Sequence, residues 1–160
     1  MQVELNSYLD KDIFGMNLAI SVSLSSKDPH TKVGAVILDD KKRVVSLGYN
    51  GFPSGYPDTV ENWSRPKKYD IVIHAEMNAL LNKPKEIPLG SVLYTTLYPC
   101  VNCAKHICAS GIKRVVYWKE HPGSEKDKVN ELMDNSGVFI RQLDFDLDYV
   151  LNFIKEKHGV

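Results

Sequence analysis

The sequence predicts an α/β fold, a three-layer α/β/α sandwich around one mixed sheet of about five strands. Three observations predict it. A short apolar run over 33–38 is followed by the polar Asp39-Asp40-Lys41-Lys42 and a second apolar run over 44–47, which reads as a hairpin. Further strand-like runs at 91–97, 114–118 and 138–143 alternate with stretches of helical character. An amphipathic helical segment precedes the hairpin and another closes the chain.

The elements follow in order. Over 8–26, Ile13, Met16, Ile20 and Leu24, widened by Leu18 and Val22, recur with a helical period that would lay one face on the sheet. Asp28-Pro29 ends this helix, because the residue before proline is pushed out of the helical region. After the hairpin, 48–70 is irregular, punctuated by Gly48, Gly51, Gly55, Pro53, Pro57 and Pro66, and a long loop of this kind in a compact domain is usually functional or disordered. Tyr56, Trp63 and Tyr69 argue that it is packed. Ile71-Val72-Ile73 leads into a helix over 74–82 that Pro84 stops. The run 91–97 reads as an alternating strand, and Pro99 stands where a second helix begins, running to Ser110 with Gly111 as its stop. A strand over 114–118, a helix over 125–135 ended by Gly137 and a last strand over 138–143 come next. The final helix starts at Asp144 or Asp146 and runs to Lys157. It places Leu147, Val150, Leu151 and Ile154 on one face, with acids first and lysines last as the helix dipole favours. No repeat or compositional break divides the chain, so 1–160 reads as a single domain.

Composition excludes several function classes. Twenty basic and twenty acidic residues cancel, so no overall field draws the protein to nucleic acid or an anionic membrane. Three cysteines, two of them in one Cys-x-x-Cys, make no disulfide framework and point to a reducing, cytoplasmic compartment. The apolar run 13–24 is preceded by Glu4, Asp10 and Asp12 and interrupted by Gly15, Asn17, Ser21 and Ser23, so it reads as a helix and not a leader. No stretch has the length of a membrane span.

Chemistry concentrates in His74-Ala75-Glu76 and Pro99-Cys100-Val101-Asn102-Cys103. His74, Cys100 and Cys103 form a three-ligand zinc set that leaves a fourth position for water, and Glu76 stands beside it as a carboxylate that does not bind the metal. Cysteines three apart on a helix share a face, and helix starts favour thiolates. Zinc in such a set lowers the pKa of its water, and a carboxylate at Glu76 can then move protons as a general acid/base. A lone Cys-x-x-Cys also fits a structural zinc knuckle or a redox pair, but a redox pair leaves His74-x-Glu76 without a purpose. Cys108 reads as core, His106 as helix surface, and His30, His121 and His158 have no partners in sequence.

His-x-Glu followed by Pro-Cys-x-x-Cys is the signature of the zinc-dependent nucleobase deaminases. Over nearly its whole length the chain resembles the deoxycytidylate deaminase branch of the cytidine-deaminase superfamily. Four blocks carry the likeness: Ser26-Lys27-Asp28-Pro29 with Thr31-Lys32-Val33-Gly34-Ala35-Val36; Gly48-Tyr49-Asn50-Gly51-Phe52-Pro53; His74-Ala75-Glu76-Met77-Asn78-Ala79; and Pro99-Cys100 through Cys103-Ala104-Lys105. The resemblance implies hydrolytic deamination of dCMP to dUMP, supplying thymidylate synthesis, by a homo-hexamer activated by dCTP and inhibited by dTTP. It implies that Asn50 hydrogen-bonds the sugar, that the backbone N–H of Ala75 faces the base carbonyl, and that Lys27 and Ser26 receive the 5′-phosphate. Asn50-Gly51 also reads as a turn, and Lys27 as a solvated helix end. Some relatives bind a second zinc through extra cysteines or histidines before the His-Ala-Glu block. Residues 52–73 hold none, so one zinc per subunit is expected. Arg65-Pro66-Lys67-Lys68-Tyr69 stands there instead, its basic side chains lining a phosphate or effector site or facing solvent. Two other readings remain: a polynucleotide deaminase acting on tRNA adenosine or cytosine, which the zero net charge disfavours, and a non-catalytic zinc or nucleotide-binding module, in which Glu76 is dispensable.

Overall fold

The computed structural model describes residues 8–160, so Glu4 lies outside the described residues. Five strands form one sheet in the order β2-β1-β3-β4-β5, where β1 is Gly34–Leu38, β2 Val44–Tyr49, β3 Val92–Leu97, β4 Arg114–Lys119 and β5 Phe139–Gln142. The sheet is mixed as expected. β1 pairs antiparallel with β2 and β3, whereas β3, β4 and β5 run parallel. The helices α2 (Ala75–Leu81), α3 (Val101–Ala109) and α4 (Lys126–Asn135) cover one face over Ile37, Leu93 and Val115. The helices α1 (Lys11–Ser23) and α5 (Leu147–His158) cover the other, over Val36, Tyr94 and Val116. Among the described residues no helix is long and apolar enough to cross a membrane.

The central strands are buried on both faces. In β3 all residues from Val92 to Thr96 are buried, so its polar members Thr95 and Thr96 point into protein and not to solvent. The alternation read from the sequence marks which helix layer each residue meets. Asp10 caps α1 by accepting the N–H groups of Asp12 (2.8 Å) and Ile13 (3.1 Å). The helix is shorter than 8–26, and its buried residues differ from the expected stripe. Gly15, Met16, Ala19 and Ser23 face the sheet, while Leu24 is 72% exposed. Gly34 explains the small residues: a Cβ there would lie 2.0 Å from the Ala19 carbonyl oxygen, so α1 seats directly on the strand backbone.

At the other end of the chain, Asp146 caps α5 and Gly159 ends it in the left-handed region. Of the predicted face only Val150 is buried. Leu147, Leu151 and Ile154 stay partly open to solvent. One acid ties the layers together. Asp12 of α1 accepts from the Tyr94 hydroxyl (2.7 Å), from Arg114 (2.7 Å) and from Arg141, reaching β3, β4 and β5.

Residues 50–73 are irregular apart from a short 3-10 turn, Lys67–Asp70. Gly51 and Ile73 exchange both backbone hydrogen bonds (3.1 and 2.8 Å), tying the segment into a closed loop. Inside it Phe52 stacks on Trp63 with ring centroids 3.9 Å apart, and Trp63 is buried. The loop is packed, as its aromatic residues indicate, although Tyr56 and Tyr69 lie largely at its surface.

Candidate active site

Two helix starts meet at one point. His74 is the N-cap of α2 and Cys100 the N-cap of α3, both with extended backbone, and Cys103 lies in the first turn of α3. Gly48 brings α2 close. A Cβ there would sit 2.4 Å from the Ala79 nitrogen and 2.6 Å from the Ala75 oxygen, and the neighbouring Ser46 hydroxyl donates to the Ala79 carbonyl at 2.6 Å. The Tyr98 N–H donates to the Lys119 carbonyl at 2.7 Å, fixing the exit of β3 just before Pro99 turns the chain into α3.

His74 Nδ1 lies 3.4 Å from Cys100 Sγ and 3.5 Å from Cys103 Sγ, and all three ligand atoms fall within 4.8 Å of one another. Zinc–sulfur and zinc–nitrogen bonds of ordinary length at tetrahedral angles place sulfur about 3.6 Å from nitrogen. The donor set therefore fits a zinc ion held through Nδ1. A hydrogen bond from the Cys103 thiol, reinforced by His74, holds Cys100 toward the thiolate form. The same bond pushes Cys103 upward. The contact with Cys100 raises the His74 pKa despite its burial.

Glu76 is 3% exposed on the first turn of α2, beside this cluster. Burial raises its pKa, opposed by its own backbone N–H, His74 and Thr95. Thr95 of β3 places its hydroxyl 3.1 Å from Glu76 Oε1 and 3.1 Å from the Leu97 carbonyl oxygen. One hydroxyl proton cannot serve both acceptors at once. It donates to Glu76 when that carboxyl is ionised. It turns to Leu97, accepting from Glu76, when the carboxyl is protonated.

A cavity of about 490 Å³ opens over His74, Glu76 and Cys100, and Ala75 and Asn50 also line it. Lys27 and Ser26 do not. Ser26 is buried and donates to the Asn50 carbonyl at 2.8 Å, whereas the Lys27 side chain is 67% exposed and pairs with Asp58 at 2.6 Å. Lys27 borders a second cavity of about 140 Å³ that shares Asn50 with the first. The structure also places at the cavity residues whose roles the sequence left open. Of the three basic side chains in the stretch read as lining a site or facing solvent, Arg65 and Lys68 line the main cavity, and Lys68 is buried there and paired with Asp28. His121, without a partner in sequence, stands at the cavity rim with Nδ1 on the Pro122 carbonyl at 2.8 Å. The pairing of Lys68 with Asp28 and the reach of His121 to the cavity had no local signal, because each brings together residues far apart in sequence.

Residues 9–119 match the family model of the cytidine and deoxycytidylate deaminase zinc-binding region. The chain belongs to this deaminase family. Human deoxycytidylate deaminase is 37% identical over 145 residues, covering 86% of this chain and 82% of its own. The deoxycytidylate deaminase of Mycobacterium phage D29 is 38% identical over 69% of this chain and 96% of its own. Among solved structures, the dCMP deaminase of cyanophage S-TIM5 in complex with dCMP and dUMP superposes with a TM-score of 0.66 at 30% identity, over 80% of this chain and 93% of that one. Every residue of the deaminase signature, from His74 to Cys103, lies inside the matched region, and α4, β5 and α5 lie beyond it. Zinc is the metal of this family's matched region, and among the described residues His74, Cys100 and Cys103 are the group placed to hold it.

Proposed function

We propose that this deaminase converts dCMP and water into dUMP and ammonia. The observation that carries the reading is Glu76, buried with a raised pKa beside three convergent zinc ligands in a cavity of nucleotide size. The dCMP and dUMP held by the similar cyanophage enzyme, and the names of the relatives, support the choice of substrate. All 160 residues act as one deaminase domain in this reading.

Zinc held by His74, Cys100 and Cys103 supplies a Lewis acid that makes water nucleophilic near neutral pH. Glu76 takes a proton from the attacking water as its oxygen bonds to C4 of the cytosine ring, and delivers it to N3. Glu76 then takes the second water proton and passes it to the exocyclic amine. The C4–N bond breaks, ammonia leaves and the C4 carbonyl forms. Thr95 steadies Glu76 in both protonation states. The Ala75 N–H, free at the helix start, donates to the base carbonyl, and Asn50 holds the sugar. Lys27 receives the 5′-phosphate, exchanging Asp58 for it, a role supported by its exposed ammonium next to the Asn50 loop, whereas Ser26, with its hydroxyl held by the Asn50 carbonyl, serves that loop and not the phosphate.

From the family likeness alone we also infer a cytoplasmic homo-hexamer that supplies dUMP for thymidylate synthesis, activated by dCTP and inhibited by dTTP. The test is chromatographic product analysis of zinc-loaded protein given dCMP, dCTP, deoxycytidine and a deaminable RNA in turn. Fastest conversion of dCMP is expected. Conversion of RNA with steep salt dependence would replace this reading with the polynucleotide one, and no conversion of any substrate would leave the non-catalytic module.

A further inference from the structure

At the end of the cavity that holds Asn50, three separate stretches of chain converge on one buried charge pair. Lys68 Nζ lies 3.0 Å from Asp28 Oδ1 and 2.8 Å from Oδ2, and each side chain is 4% exposed. Two ions so far from solvent persist only when each is paired and its remaining hydrogen-bonding capacity is met. Asp28 meets this condition: Oδ1 also accepts the backbone N–H groups of His30 (2.8 Å) and Thr31 (3.3 Å), and Oδ2 accepts from Asn50 Nδ2 at 3.3 Å.

The consequence falls on Asn50. Its Nδ2 donates one hydrogen to Asp28 and the other to the Thr31 carbonyl at 2.9 Å, so both amide hydrogens are engaged. Its Oδ1 accepts the Val33 N–H at 2.8 Å and keeps one lone pair. The neighbours also fix which way the amide points. A carboxylate and a carbonyl can only accept, and a backbone N–H can only donate, so rotating the amide by half a turn would break all three bonds. Asn50 therefore presents the cavity with an acceptor and no donor.

We propose that Lys68 is a positioning residue for the sugar: by clamping Asp28 it fixes the Asn50 carboxamide so that Oδ1 alone meets the substrate and accepts from a sugar hydroxyl. This rests on the reading of Asn50 as the sugar contact. A deoxynucleoside 5′-monophosphate has a single free sugar hydroxyl, at C3′, and that group is the donor. Without the ammonium, Asp28 loses its counter-charge and its hold on Nδ2, and the amide, then held only by the Thr31 carbonyl and the Val33 N–H, no longer keeps Oδ1 fixed against the sugar.

The test compares 2′-deoxycytidine and 2′,3′-dideoxycytidine 5′-monophosphates on zinc-loaded wild type, Lys68→Met and Lys68→Arg, with kcat and KM determined separately alongside the thermal midpoint. Wild type is expected to favour the 3′-hydroxyl substrate by about 10- to 100-fold in kcat/KM, the discrimination typical of one hydrogen bond into a buried acceptor. In Lys68→Met that preference shrinks to within about threefold, through a raised KM for dCMP with kcat far less affected. Lys68→Arg, which can grip both Asp28 oxygens, keeps most of it. Should Lys68→Met not fold, Asp28→Asn, which removes the charge that Lys68 clamps while keeping an acceptor oxygen, carries the same comparison. A Lys68→Met protein that melts earlier yet keeps the wild-type preference overturns the proposal, since a purely structural lysine would do that. Wild-type indifference to the 3′-hydroxyl overturns instead the sugar role of Asn50, and absence of dCMP turnover overturns the proposed function itself.

Discussion

A carboxyl group sealed beside two sulfurs and an imidazole can exchange its proton with few partners, and Glu76 is in that position. Glu76→Gln preserves shape and removes the proton carrier. It is expected to keep zinc and fold, measured by metal analysis and circular dichroism, while kcat drops about 10²- to 10⁴-fold. Thr95→Val removes the hydroxyl that follows Glu76 between its two states. Turnover should fall about tenfold with zinc content unchanged, checked by steady-state kinetics. Cys100→Ala, by contrast, should leave a protein that does not retain stoichiometric zinc after dialysis. The difference between these residues also explains what the sequence discloses. His74, Glu76, Cys100 and Cys103 are legible because their chemistry imposes short spacings at helix starts. Thr95 meets Glu76 across 19 residues of chain, and the strand pattern says which face it shares but not what lies opposite. The pairing of Lys68 with Asp28, 40 residues apart, is illegible for the same reason.

At the scale of elements, the active site depends on how closely α2 lies against β2. Gly48 permits a backbone contact that no side chain tolerates, so Gly48→Ala should force α2 outward and carry His74 and Glu76 with it. A cost of about 1–3 kcal/mol is expected, read as a lower thermal midpoint together with faster zinc loss to a competing chelator. Close helix seating also explains where the sequence misled. Hairpin, strands and helices declare themselves through local period, and all five strands and five helices form near the expected positions. The inward side of α1 does not. A pattern of hydrophobicity ranks Leu24 above Ala19, yet against Gly34 only a small residue fits, so Ala19 is buried and Leu24 is not. In α5 only Val150 is buried, and Leu147, Leu151 and Ile154 of the same apolar face stay open to solvent.

For the molecule as a whole, Asp12 is the charged link between α1 and three strands. Burial disfavours its ionised form, but the Tyr94 hydroxyl, Arg114 and Arg141 outweigh burial and hold its carboxyl below the ordinary 3.8. The folded chain then binds that proton less readily than the unfolded chain. The stability Asp12 confers is complete above about pH 4 and is lost as pH falls through its lowered value, and Asp28, also depressed, acts in the same window. Asp12→Asn should lower the thermal midpoint at pH 7, at a cost of about 1–2 kcal/mol given the partly exposed arginines, and the gap to wild type should narrow at pH 3. The paired backbone bonds between Gly51 and Ile73 have a different kind of consequence. They hold both ends of the segment between them, so its length is decoupled from the position of His74 one residue later. Doubling a tied loop adds only about 0.6 kcal/mol of closure entropy. In descendants of such a chain this wall of the cavity can lengthen, shorten or be exchanged while the metal ligands keep their places, so that what enters the cavity and what is done there can be inherited separately.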